Sequence, residues 1–108
     1  MKLNNIIYSM DDIEGLKSKF ESQLAKNVDE MKKIRSFAQL QRLLNEYGYF
    51  EGGRRLINGK ETSGLTDLIL VGKSHLSIEY LALSEEFQSL FTDDELKKCR
   101  QKLGILNS

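Results

Sequence analysis

Five of the chain's eight glycines, Gly48, Gly52, Gly53, Gly59 and Gly64, fall within residues 48–64, and no proline stands anywhere to share the work of breaking the chain. Glycine is therefore the strong punctuation here, and the segments on either side of the cluster differ in period.

Before the cluster the pattern is helical. Ile13, Leu16, Phe20 and Leu24 are spaced 3, 4 and 4, which places them on one face. Ser9 or Asp11 can cap this helix, and Asp11, Asp12 and Glu14 suit the positive end of its dipole. Lys26-Asn27 suggests a break, with a further turn through Met31 and Ile34. Ser36 reads as the cap of a second helix, Phe37 to Tyr47, with Phe37, Leu40, Leu43, Leu44 and Tyr47 on one stripe. Gly48 follows where a left-handed cap residue is wanted.

After Gly53 the reading changes to strand. Arg54-Arg55-Leu56-Ile57 precedes Asn58-Gly59, a dipeptide whose tolerance of positive φ makes it a strong hairpin signal. A second strand runs through Thr62 to Val71, with Gly64 as a bulge. Leu76, Ile78 and Tyr80 alternate with Ser77 and Glu79 as a third strand would, although Leu76, Tyr80, Leu83, Phe87 and Leu90 also fit a helix. The strand reading is taken for 76–83, reached by a tight turn at Gly72–His75 and followed by a short helix at 85–90. Thr92-Asp93-Asp94-Glu95 is a capping box opening a last helix that Gly104 ends. The expected fold class is thus α+β. It has N-terminal helices, a three-stranded antiparallel meander (about 54–58, 61–71 and 76–83) and a C-terminal helix (about 93–103).

A chain of 108 residues fits one small domain, 1–108. Cys99 is the lone cysteine, so no intrachain disulfide forms. The start, Met1 to Ile7, lacks the apolar run of a secretory signal, and no stretch nears the roughly 18 apolar residues of a membrane span. Together these point to a cytoplasmic protein with no membrane partner.

Sixteen basic and sixteen acidic residues cancel, but unevenly. Residues 32–75 hold Lys32, Lys33, Arg35, Arg42, Arg54, Arg55, Lys60 and Lys73 against Glu46, Glu51, Glu61 and Asp67, a net of +4, while each flank is at −2. Arg42, Arg54, Arg55, Lys60, Lys73 and His75 make up the candidate binding patch. A helix exposing Gln39, Gln41, Arg42 and Asn45 ahead of a basic hairpin has the outline of a winged helix. The neutral whole and the lack of interleaved aromatics argue against a dedicated nucleic-acid binder.

Chemistry-bearing motifs are sparse. Gly72-Lys73-Ser74 looks like the end of a phosphate loop, but Asp67 stands where its first glycine belongs and Leu68 to Val71 fill the cradle. Gly53 and Gly59-Lys60-Glu61 have one residue too many between the glycines, and Glu61 replaces the metal-binding hydroxyl. One cysteine and one histidine cannot build a structural zinc site. Asp67 and Glu79 fall on adjacent expected strands, but Leu81 stands where a nuclease centre would want lysine. No metal and no cofactor is expected. His75 could serve as a general base, although a turn position explains it equally.

The stretch Phe37-Ala38-Gln39-Leu40-Gln41-Arg42-Leu43-Leu44-Asn45-Glu46-Tyr47-Gly48-Tyr49, followed by basic strands and a final helix, somewhat resembles the small HicA-type messenger-RNA interferases of bacterial toxin–antitoxin pairs. The resemblance covers about half of the chain and implies an α-β-β-β-α fold with a catalytic histidine in a Gly-Ser-His setting. Here Gly72-Lys73-Ser74-His75 interposes a lysine, and about 35 residues precede the matching helix, so no catalytic residue is carried over.

The reading taken forward is a small protein-binding module of inhibitor or immunity type, acting by surface complementarity on another protein. A nucleic-acid-binding domain using residues 35–73 is the first alternative, and a ribonuclease-like toxin using His75 is the second.

Overall fold

The computed structural model describes residues 10–107, so the Ser9 cap and the start of the chain lie outside the described residues. Six α-helices follow one another there: α1 (Met10–Lys32), α2 (Ala38–Tyr47), α3 (Tyr49–Asn58), α4 (Ser63–Leu70), α5 (Ile78–Ala82) and α6 (Asp93–Asn107). Short 3₁₀ turns at Ser74–Leu76 and Gln88–Leu90 flank α5. No strand occurs among the described residues, so the expected α+β class and its meander at 54–58, 61–71 and 76–83 are wrong.

α1 runs on through the expected break. Its buried stripe of Phe20, Leu24, Val28 and Met31 keeps helical spacing across Asn27, which is itself buried and takes a 3.0 Å hydrogen bond from Gln23 Nε2. A satisfied amide on the inner face removes the reason to leave the helix. α2 begins one residue later than expected, with Phe37 and not Ser36 at its cap and no side-chain hydrogen bond there.

The glycine cluster explains most of the strand error. Gly48 does end α2, but with φ +85° and ψ 171°, an extended geometry that suits glycine, and α3 starts at once. Gly52 does not interrupt the chain. It lies inside α3, where α3 passes so close to α2 that an added Cβ would stand 2.6 Å from the Leu43 carbonyl oxygen and 3.1 Å from Leu44 Cα. Counted from Phe50, the buried positions Phe50, Gly53 and Ile57 form one helical stripe in which a small residue stands for an apolar one. Asn58-Gly59 then closes α3, with the Gly59 amide donating to the Arg55 carbonyl at 3.0 Å, so the hairpin signal marks a helix end.

The second expected strand becomes α4. Leu65 and Leu68, three apart, turn inward, whereas Leu70 is 76% exposed, which a central strand residue could not be. The third becomes α5. Ser77 caps it, its hydroxyl accepting from the Tyr80 amide at 3.1 Å, and the run Leu76–Glu79 is buried together with Leu81 and Ala82. A short helix buried nearly all round shows neither an alternating nor a one-faced pattern, which is why periodicity misreads it. The helix expected at 85–90 shrinks to the 3₁₀ turn at Gln88–Leu90.

The last helix starts as its capping box requires. The Thr92 amide donates to Glu95 Oε1 and the Glu95 amide donates to Thr92 Oγ1, both at 3.0 Å. It does not stop at Gly104 but continues to Asn107. Phe20 of α1 sits amid the core, edge-on to Phe50, Phe87 and Phe91 with ring centroids 5.7, 5.3 and 5.4 Å away. No helix among the described residues is long and apolar enough to cross a membrane.

The α2–α3 approach sets a test. Gly52→Ala forces a methyl against backbone that cannot step aside, and it is expected to lower stability by about 1–3 kcal/mol in urea denaturation. At Gly53 an added methyl would meet side chain and not backbone, the Cδ1 and Cγ1 atoms of the buried Ile78, which can turn aside, so Gly53→Ala is expected to cost less than Gly52→Ala.

Candidate functional site

The six basic residues proposed as a patch do not gather into one. Arg54 points inward from α3, its Nε and Nη2 donating to Glu95 Oε2 at 3.0 and 2.8 Å. Asn58 Nδ2 reaches the same oxygen at 2.9 Å, and Lys98 Nζ reaches Asn58 Oδ1 at 2.9 Å, so these side chains tie α3 to α6. Arg55 lies 3.9 Å over the Tyr47 ring and 3.3 Å from Glu51. Arg42, exposed on α2, pairs with Glu46 at 3.4 Å. Lys60, Lys73 and His75 are exposed in the connections after α3 and α4 and in the first 3₁₀ turn. Arg54 and Arg55 share a shallow depression with Glu51, Asn58 and Gly59, and the other four lie outside it.

A deeper feature holds none of the six. Between the end of α1, the start of α2, α4 and the start of α5 lies a recess of about 240 Å³. Met31, Phe37, Leu40, Leu56, Leu65, Leu68 and Ile78 supply its apolar lining, and Ser77 and Glu79 add polar groups. Arg35, Ala38, Gln39 and Glu61, all exposed, stand at its rim. Arg35 is held there: Nη2 is 2.6 Å from Asp67 Oδ2, the guanidinium lies 4.3 Å over the Phe37 ring, and Nη1 donates to the Ser36 carbonyl.

Glu79 is the unusual member of that lining. It is only 3% exposed, and its Oε2 stands 3.9 Å from Nζ of Lys102 on α6. Lys102 in turn donates to the carbonyls of Leu56 and Ile57 at 3.0 and 2.9 Å, at the negative end of α3, where the Leu56 carbonyl also accepts from the Gly59 amide at 3.2 Å. Burial pushes the Glu79 carboxyl above the ordinary glutamate range, against the pull of its own amide and of Lys102. Burial likewise pushes Lys102 down, against the attraction of Glu79. Cys99 is fully buried nearby in sequence, and burial, with the Glu79 charge next, pushes its thiol up to about 12. Glu79 and His75, four residues apart in sequence, differ in setting: one is buried and the other exposed.

The arrangement favours holding an apolar group in a mostly apolar recess whose lining includes one buried carboxyl residue. Periodicity alone does not point to this site: the strands expected at 61–71 and 76–83 hold Leu65, Leu68 and Glu79, and Phe37 is expected only as the start of the second helix. The available signal was Ser77 followed by Glu79, a cap with an acid in the first helical turn. Among the described residues no group of three or more His, Cys, Asp or Glu side chains could hold a metal ion. Comparison with protein-family models, with curated proteins and with solved structures finds no match to this chain.

The two buried glutamates have opposite pH signatures. At Glu95, burial opposes ionisation, but the Thr92 amide, the Asn58 amide and the Arg54 guanidinium outweigh it and hold the carboxyl below its ordinary value of 4.5. Its stabilisation is therefore complete above about 4.5 and lost as pH falls through the lowered value. For Glu79 the raised value means that ionisation costs stability as pH climbs from about 4.5 through it. In urea midpoints followed across pH, Glu95→Gln is expected to lose most at neutral pH and to show a shallower acid limb than the wild type. Glu79→Gln is expected to fare better against the wild type at neutral pH than in acid.

Proposed function

We propose that this chain acts as one small protein-binding domain that receives a bulky apolar side chain of its partner in the recess beside α4. The carrying observation is a recess of about 240 Å³ with a buried apolar lining and an exposed, charged rim. Its volume falls below the roughly 300–1,000 Å³ of ordinary small-molecule sites but suits one anchoring side chain. Interfaces place such an anchor in a desolvated pocket within a polar rim, and Arg35, Gln39 and Glu61 supply that rim. Arg35 is ordered in advance by Asp67 and Phe37, so less side-chain entropy is lost when a partner arrives.

The charge pattern supports this reading over a nucleic-acid one. Arg42, Arg54 and Arg55 each face a carboxylate of the same chain, and the helix–hairpin outline on which the nucleic-acid reading stood is absent. We place the role in the cytoplasm, where a fold with one cysteine, kept as a buried thiol, suits a reducing setting.

The test is affinity capture from cells of the source with two baits, the wild type and Ala38→Trp. Ala38 is exposed at the rim, so its replacement covers the mouth without disturbing the core, and an unchanged thermal midpoint checks this. The wild type is expected to retain a stoichiometric protein partner that Ala38→Trp loses. Equal retention by both baits, or no partner on the wild type, overturns the proposal.

A further inference from the structure

We infer that the side chain this recess receives is a neutral aromatic ring carrying its own hydrogen-bond donor, the indole of a partner's tryptophan, with the Glu79 carboxyl group as acceptor. The inference rests on the protein-binding reading above and specifies the chemistry of its anchor.

Size is the first argument. An apolar cavity of roughly 150 Å³ holds benzene, so about 240 Å³ has room for a two-ring side chain and is underfilled by an isopropyl group. Unfilled space forfeits dispersion contacts along the lining, which favours the larger occupant. Phe37, Met31, Leu40 and Leu65 offer apolar and polarisable surface to a flat ring.

The acceptor is the second argument. A carboxylate presents about four lone-pair sites. Among the described residues Glu79 meets its own amide and the Lys102 ammonium, the latter at 3.9 Å and so beyond hydrogen-bond length. Capacity therefore remains on a group that a filled recess would cut off from water. A ring without a donor would leave that acceptor unpaired inside the filled recess, whereas an N–H would give it a charge-assisted bond. If Glu79 is protonated, its carbonyl oxygen still accepts.

Charge is the third argument, and it selects a neutral donor. An ammonium or guanidinium occupant would face Lys102, already seated 3.9 Å from the carboxylate, and a carboxylate occupant would face Glu79 itself. Indole satisfies all three conditions at once: two rings, no charge and one N–H. Phenylalanine lacks the donor, and tyrosine leaves part of the volume empty.

The experiment uses the full chain and three probes followed by amide chemical shifts: indole, its isostere benzofuran, which lacks the donor, and N-acetyl-tryptophanamide. Indole is expected to move the amides of Leu65, Leu68 and Ile78 and to bind roughly tenfold or more tightly than benzofuran, the worth of one bond to a charged group. N-acetyl-tryptophanamide is expected to bind at least as well as indole. Glu79→Met is expected to bind both rings with the preference gone. If that variant does not fold, the indole-to-benzofuran ratio in the wild type decides alone. Equal binding of the two rings, a preference that survives in Glu79→Met, or shifts elsewhere on the surface overturns the inference. Binding of indole but not of N-acetyl-tryptophanamide overturns the protein source of the ring. These outcomes are separate from the Ala38→Trp capture, which can succeed when the donor preference fails.

Discussion

Helix α3 has to be satisfied at both ends while lying against four other helices, α1, α2, α5 and α6, and much of the molecule is arranged to do this. A helix end leaves four amides or four carbonyls unpaired, and a buried end cannot leave them to water. At the start of α3 the Phe50 amide donates to Glu21 Oε2 of α1 at 2.9 Å. At its other end Lys102 of α6 takes the Leu56 and Ile57 carbonyls. Acid at the positive end and base at the negative end also oppose the helix dipole with the correct sign. Between those ends Gly52 lets α2 close in, and Arg54 with Asn58 draws α6 alongside through Glu95.

That arrangement also spends much of the charge in the basic middle of the chain within the fold. Arg54 holds α3 to α6, and Arg55 and Arg42 are balanced by acids one turn away. Apart from these pairs the molecule carries a concavity, bordered by the α1–α2 connection, α4 and α5, that is lined by apolar residues and by the buried Glu79.

Some of this was legible in the sequence. The stripe of α1, the body of α2 and the Thr92–Glu95 box depend on neighbours three or four residues apart, and such patterns can be read directly. The region from Gly52 to Leu83 was not legible, because its cues have two meanings. A glycine can open a turn or admit a neighbouring helix. Asn58-Gly59 can close a hairpin or a helix. An unbroken apolar run can be a central strand or a short helix packed on all sides. The deciding contacts come from other helices: Leu43 of α2 for Gly52, and Lys102 of α6 for the end of α3 and for Glu79. The recess was missed for the same reason, since its lining spans Met31 to Glu79 and no short window holds more than a fragment of it.

The burial of Cys99 has a practical corollary. At neutral pH a thiol pushed up to about 12 is almost wholly protonated, and a fully buried sulfur cannot meet a maleimide or an iodoacetamide. The native chain is thus silent toward thiol-directed dyes without any residue being replaced. A cysteine introduced at the exposed rim would be the one thiol such a reagent can modify, and a fluorophore carried there would report on traffic through the mouth of the recess.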